Sequence, residues 1–195
     1  MNRTDLAILI LAAGESSRLG RAKQLINYKG TTLLGYTIDC AKTVSDKVTV
    51  VLGGNEETIV GQVDFSHIDH VSNKKWKEGI GSSISCGIDA IVSRHPNIDS
   101  IMVLLSDQPK ISAELLKKLY ISYKNDASLI IACKYGGSYG VPAIFEKSLF
   151  NDLSMLKEDK GAKSIITTHS NQTIFTDFEE GQIDIDTPND LEKLK

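Results

Sequence analysis

The chain has little of what marks several large classes of protein. It holds three cysteines, four prolines and a single tryptophan in 195 residues. Cys40, Cys86 and Cys133 are odd in number, widely spaced and outside any CxxC or metal-ligand pattern, which argues against a disulfide framework or a zinc cage. They read as buried free thiols of a cytoplasmic protein. No apolar stretch reaches the ~18 residues of a membrane span. Residues 1–5 lead directly into an apolar run, without the separate h-region and cleavage site of a secretory leader. Neither sign of charge dominates: 22 Lys and Arg stand against 25 Asp and Glu. The basic face of a nucleic-acid binder is therefore missing. The longest cationic stretch, Lys74-Lys75-Trp76-Lys77, reads as a solvated loop with Trp76 packed inward. His67, His70, His95 and His169 share no motif and read as structural or solvated. GxxxxGK[ST] and GxGxxG are both lacking. With no kinase signature either, γ-phosphoryl transfer is not indicated. No repeat, linker or low-complexity tract divides the chain, and its length fits one domain, residues 1–195.

What is present is an alternation of strands and helices. Leu6–Leu11 is a continuous apolar run, the mark of a buried strand. Residues 31–41 place apolar side chains at 33, 34, 38 and 41, a helical period that Thr31 or Thr32 can cap. Residues 47–52 are β-branched and predict a second strand. A short helix is expected over 56–62 and a third strand over 68–71. Ser82 or Ser83 reads as the N-cap of a helix carrying Ile84, Ile88, Ile91 and Val92 on one face. Ser100–Leu105 reads as a central strand, buried on both faces. Ser112 then starts a helix through Leu115, Leu116 and Leu119. Residues 128–133 predict a strand, 136–140 a flexible glycine loop and 141–145 another strand. Helices are expected over 147–153 and 161–169, and short strands over 173–175 and 183–185. Thr187 and Pro188 suit the N-cap and first position of a terminal helix. This order predicts a three-layer α/β domain on a mostly parallel sheet. Such sheets bind ligands at the carboxyl ends of their strands.

The stretch after the first strand has the chemistry for an anion. Gly14 lets the backbone approach a ligand, and successive N–H groups in such a turn form an anion-binding concavity. Arg18 can fork onto two phosphate oxygens, and Lys23 can place a point charge on another. Asp107 follows the central strand and so falls at the ligand edge. Asp184 and Asp186 lie two apart and share one side of an extended segment. Magnesium favours one or two carboxylates completed by water and substrate phosphates, so Asp107 with Asp184 or Asp186 fits it. Loop, cations and carboxylates together describe a nucleoside triphosphate with its magnesium ion. The simpler uses of these residues are a solvated loop for the cations and turns or caps for the aspartates.

Several motifs occur in a fixed order. They are Leu11-Ala12-Ala13-Gly14-x-Ser16-x-Arg18-x-Gly20-x-x-Lys23, then Asn73-x-x-Trp76-x-x-Gly79-x-Gly81-x-Ser83, then Ser106-Asp107-Gln108-Pro109. Gly140-x-Pro142 with Phe145, Asp159-Lys160-Gly161-Ala162-Lys163 and Asp184-Ile185-Asp186-Thr187-Pro188 follow. In these the chain resembles the molybdenum cofactor cytidylyltransferase-like branch of the MobA-like NTP transferase superfamily. The resemblance spans residues 6 to 191. It implies a three-layer, Rossmann-like nucleotidyltransferase fold with a mostly parallel mixed sheet. It implies transfer of CMP from CTP to a molybdopterin-type cofactor with release of pyrophosphate, CTP being favoured by Ala12-Ala13. Leu11, Ala12, Ala13, Gly14, Ser16, Asn73, Gly79, Gly81, Ser82 and Ser83 would surround the nucleotide. Arg18 and Lys23 would neutralise the triphosphate, and Asp107 and Asp186 would bind Mg2+. Catalysis would rest on Arg18, Lys23 and Asp107. Gly140, Pro142, Lys160 and Lys163 would face the acceptor, although Lys160 and Lys163 also suit a solvated helix start. A molybdoenzyme client is a further partner the resemblance allows; nucleic acid and membrane are not. Two positions depart from the family pattern: Glu158 where glycine is common before Asp159, and Val141 where histidine is common. Both fall toward the acceptor. The competing readings are a cytidylyl- or uridylyltransferase for a sugar or polyol phosphate, and a non-catalytic carrier or insertion chaperone for molybdenum cofactor.

Overall fold

Alternation of side chains along buried strands builds the core in two layers. The computed structural model describes residues 5–194; residues 1–4 of the expected lead-in lie outside the described residues. In β1 (Leu6–Leu11), Leu6, Ile8 and Ile10 enter one hydrophobic cluster while Ala7, Leu9 and Leu11 enter the other. This follows from the period of two along a strand covered on both faces.

The remaining elements are the ribbon strands β2 (Asn27–Tyr28) and β3 (Thr31–Thr32), α1 (Leu33–Lys42), β4 (Val48–Leu52), α2 (Glu56–Val60), β5 (Asp69–Ser72) and α3 (Ile80–Arg94). They continue with β6 (Ser100–Leu105), α4 (Ala113–Asn125), β7 (Ile130–Tyr135), β8 (Ser138–Glu146), α5 (Phe150–Ser154), α6 (Ala162–Thr168) and β9 (Thr173–Asp177). The main sheet has seven strands in the order β5-β4-β1-β6-β8-β7-β9. Only β8 runs against the rest. Residues of α1 and α4 pack in one cluster, and residues of α3, α5 and α6 in the other. This is the three-layer, mostly parallel mixed sheet the sequence implied. Among the described residues no helix is long and apolar enough to cross a membrane.

Local signals fixed several boundaries. Thr32 Oγ1 accepts from Gly35 N at 2.9 Å and caps α1, and Ser112 Oγ accepts from Leu115 N at 3.2 Å and caps α4. Other expectations need correction. α3 begins at Ile80 with Gly79 as its N-cap, so Ser82 and Ser83 lie inside the helix. Residues 136–140 are not a loose loop. Gly136 and Gly137, at φ 55° and 71°, make a two-residue hairpin turn, and β8 starts at Ser138. Two positive φ values suit the right-handed twist of the flanking strands. No strand forms over 183–185, and residues 188–194 form a 3-10 helix. The helix starts at Pro188 just after Thr187, as expected: the Thr187 carbonyl accepts from Asp190 N at 3.0 Å, and its N–H and hydroxyl donate to the Asp190 carboxylate at 2.8 and 2.7 Å. The helix over 147–153 divides into a 3-10 turn and α5. Cys40 and Cys133 are buried, but Cys86 is half-buried. Burial pushes the Cys133 thiol up to about 12.

Candidate active site

The parallel strands deliver their carboxyl ends to one edge, and the loops after β1 and β6 lie side by side there. Ser106 N donates to Leu11 O at 3.2 Å and Gly54 N to Ala13 O at 3.1 Å, joining the ends of β6, β1 and β4. A cleft of about 220 Å³ opens at this edge. Leu11, Ala12, Ala13, Gly14, Lys23, Gly79, Ser83 and Asp107 line it, with Gln24, Trp76, Ile80, Leu105 and Ser106.

The loop after β1 takes its shape from backbone conformation and one buried amide. Ser16 has φ 60°, a left-handed conformation costly for a residue with a Cβ. Its hydroxyl accepts from Lys23 N at 3.1 Å, closing the loop on itself. Gln24 is wholly buried, and its Nε2 donates to Ala12 O at 2.8 Å and Gly14 O at 3.0 Å. These bonds tie the loop's two backbone carbonyls to one buried amide.

Lys23 is the hub of the charges. Its Nζ donates to Asp107 Oδ2 at 2.5 Å and to Asp186 Oδ1 at 2.9 Å. Arg18 Nη2 reaches Asp186 Oδ2 at 3.0 Å. Burial alone would pull the Lys23 ammonium down. The Asp107 charge and the hydrogen bonds to both aspartates outweigh it and hold it above the usual lysine range. The hydrogen bond from Lys23 leads in holding Asp186 below the usual carboxylate range. Asp107 Oδ1 is buried with no hydrogen-bond partner, and an orphaned buried carboxylate oxygen is expensive unless something binds it. Asp186, not Asp184, is the second carboxylate that Arg18 and Lys23 reach.

Asp186 comes from a segment that crosses back from β9 at the sheet edge. Ile185 N donates to Asp107 O at 3.2 Å, and Ile185 is fully buried among Leu19, Ile26, Tyr28 and Leu33. Gln108 Nε2 donates to Gly181 O at 2.9 Å and Val141 O at 3.4 Å, tying the same segment to β8.

The other wall is the start of α3. Asn73 is buried, and its Nδ2 donates to Ser82 Oγ at 2.9 Å and Ser83 Oγ at 3.0 Å. Gly79 has φ 103°, and a Cβ built there would lie 2.4 Å from the Glu158 carbonyl. Gly81 N donates to Glu158 O at 2.8 Å, and a Cβ on Gly81 would meet Lys157 at 2.7 Å. The Lys157–Asp159 backbone thus seats directly on this turn.

The expected residues divide accordingly. Asn73, Gly81, Ser82, Arg18, Ser16 and Asp186 are not among the cleft's lining residues. Asn73 bonds to the lining Ser83, and Ser16 and Asp186 bond to the lining Lys23. Gly140, Pro142, Lys160 and Lys163 are not among the cleft's lining residues. Lys163 Nζ donates to Ser138 Oγ at 2.6 Å and lies 5.4 Å from the Tyr139 ring centroid. Gln24, Gln108 and Ile185 also shape the site, though nothing in the sequence marks them for it. No histidine lines the cleft.

Among the described residues no three His, Cys, Asp or Glu side chains gather as a metal cage. Asp107 and Asp186 fit a hard cation that completes its shell with phosphate oxygens and water, and the orphaned Asp107 oxygen adds a free donor to that pair.

A cleft at the strand ends, walled by a glycine loop and a helix start and carrying this charge cluster, suits a phosphate-bearing ligand with its metal, as expected of a nucleotidyltransferase of the α/β class. Comparison with known proteins agrees. Residues 8–173 match the MobA-like NTP transferase domain, and the chain belongs to that family. It is 33% identical over 153 residues to the bifunctional protein GlmU of Buchnera aphidicola subsp. Schizaphis graminum, covering 76% of this chain but only 32% of that protein. It is 24% identical over 187 residues to the molybdenum cofactor cytidylyltransferase of Escherichia coli K12, covering 94% and 92% of the two chains. Among solved structures, Rv0371c of Mycobacterium tuberculosis H37Rv superposes with a TM-score of 0.83 at 28% identity over 98% of both chains. The same protein has been solved in complex with manganese.

Proposed function

We propose that this nucleotidyltransferase moves CMP from CTP to a molybdopterin-type phosphate and releases pyrophosphate, with Mg2+ as its metal. The observation that carries the reading is the Lys23 bridge between Asp107 and Asp186 at the cleft edge. It gathers on one spot the cations that suit a triphosphate and the carboxylates that suit its metal. The choice of CTP and of the acceptor rests on Ala12-Ala13 and on the likeness to the E. coli cytidylyltransferase.

The acceptor phosphate is a monoester, whose second pKa lies near ~6, so at neutral pH it is mostly a dianion. It is already a nucleophile, and the cleft has no need of a histidine base. An acceptor oxygen bonds to the α-phosphorus, the bond from that phosphorus to the β-phosphate bridging oxygen breaks, and pyrophosphate leaves with the electron pair. The chain's task is alignment and charge stabilisation. Gly14 and its neighbours offer N–H groups, Arg18 and Lys23 offer positive charge, and the α3 start walls the base and ribose. Mg2+ held by Asp107 and Asp186 would supply further charge neutralisation at the phosphates.

The test is pyrophosphate release with each of the four ribonucleoside triphosphates, magnesium, and molybdopterin present or absent. Release from CTP only with molybdopterin is expected, with Lys23→Ala and Asp107→Ala each lowering it by a factor on the order of a hundred or more. Trp76 is the only tryptophan and lines the cleft, so its fluorescence should report nucleotide binding independently of turnover. Release unchanged in both variants would sink the site assignment. A sugar or polyol phosphate as acceptor is the second reading, left open by the departures from the family pattern at Glu158 and Val141; pyrophosphate release with such an acceptor and none with molybdopterin would select it.

A further inference from the structure

Two carboxylates that share a cation repel each other when nothing stands between them. Here the ammonium of Lys23 stands between them, and its surroundings determine what can move. The Lys23 backbone is pinned: its N–H donates to Ser16 Oγ, and the adjacent Gln24 is wholly buried and anchored on Ala12 and Gly14. The side chain beyond that point is a flexible four-carbon stem ending in a compact charge. It donates to Asp107 Oδ2 and Asp186 Oδ1. Arg18 takes Asp186 Oδ2, leaving Asp107 Oδ1 buried and unpartnered. Two cations against two carboxylates already make this cluster neutral.

A divalent ion changes that balance. It seeks the same carboxylate oxygens that the ammonium holds, and its two charges would leave the cluster net positive. Triphosphate oxygens restore neutrality and give the ammonium new acceptors. We infer that Lys23 is a built-in stand-in for the metal. It holds Asp107 and Asp186 at a common point, competes with a divalent ion for their oxygens, and passes to the phosphates when metal and nucleotide arrive together. Metal alone therefore binds weakly, and metal with triphosphate binds well, because the nucleotide draws the competitor away. By linkage the metal favours the nucleotide to the same degree. This inference rests on the site reading given above.

The stand-in makes an unusual demand: deleting a residue of the site must improve metal binding. The experiment measures Mn2+ affinity of the full chain without nucleotide, from the electron paramagnetic resonance signal of free Mn2+. Lys23→Met should bind Mn2+ tighter than the wild type by about tenfold or more, since a charge in direct contact with both ligands is removed. Lys23→Gln keeps a donor against the aspartates and serves if Lys23→Met does not fold, as judged by circular dichroism. Adding Asp107→Asn to either variant should abolish the gain. Arg18→Met is the control for charge in general: its side chain is 73% exposed and pairs with Asp186 but not with Asp107 among the described residues, so its gain should be much smaller. Mn2+ affinity unchanged or weaker in the folded Lys23 variants overturns the stand-in, as does an equal gain from Arg18→Met. If Asp107→Asn leaves Mn2+ affinity unchanged in every background, the metal lies elsewhere and the site reading falls with the inference.

Discussion

Glu158 holds a conformation that its side chain does not favour. Its φ is 54°, in the left-handed region where a Cβ crowds the backbone at a cost of roughly 1–2 kcal/mol. The residue is exposed, so no side-chain packing compensates. Its carbonyl provides the reason the conformation persists, accepting from Gly81 N at the lip of the cleft. The family preference for glycine at this place then has a local cause: the turn needs a positive φ. Glu158→Gly should raise the unfolding free energy by about 0.5–1 kcal/mol, the conformational relief being partly offset by greater freedom of the unfolded chain. A urea denaturation midpoint checks it, and an unchanged or lower midpoint refutes it. At this same scale lies most of what could not be read from the sequence. A buried amide such as Gln24 looks like any surface glutamine beside Lys23. Its importance comes from the Ala12 and Gly14 carbonyls, and backbone acceptors leave no trace in composition.

Among elements, α3 contributes most to the site, and its start is where local signals misled. Serines at 82 and 83 have the chemistry of an N-cap, but Asn73 engages both hydroxyls from outside the helix. The chain enters at Gly79 instead, with a φ open to glycine and the Glu158 carbonyl occupying the space of a Cβ. Gly79→Ala should therefore cost about 1–3 kcal/mol of stability. It should also raise the KM for the triphosphate more than it lowers kcat, because it displaces a binding wall rather than the charge cluster. Steady-state kinetics and a melting curve test the two halves, and an unaltered KM would refute the second. The caps at Thr32 and Ser112 were legible because donor and acceptor are three residues apart. The strands were legible because continuous apolar runs have few other uses in a chain of this length.

For the molecule as a whole, the sheet order explains how distant residues share one site. Asp107 could be placed from sequence, because a carboxylate just after a central strand has only one edge to occupy. The choice between Asp184 and Asp186 was open to the residues alone, because it depends on how residues 178–186 return from the edge strand β9. Ile185 fixes that return, buried between two candidate aspartates and packed on Leu19, Ile26, Tyr28 and Leu33. It is the apolar counterpart of the Arg18 and Lys23 ion pairs with Asp186 in joining the loop after β1 to this segment. Ile185→Ala should cost about 2–5 kcal/mol or, if the segment detaches locally, less globally. Either way it should speed amide exchange over residues 182–190 and weaken Mn2+ binding in the presence of nucleotide, although it removes no charge. Hydrogen exchange read by mass spectrometry distinguishes this from a uniform loss of stability; protection lost evenly along the chain would refute the idea.

The same return path has a consequence in time. Lys23 and Asp107 are 84 positions apart, and Lys23 and Asp186 are 163 apart. A ribosome adding ~5–20 residues per second spends roughly 4–16 s on the 79 residues between the two aspartates. Through that interval the growing chain holds the glycine loop, its lysine and one carboxylate, but not the second. On the function proposed above, a half-made chain would lack one of the two carboxylates for the metal, and full grip on a triphosphate would arrive only after β9 has been made.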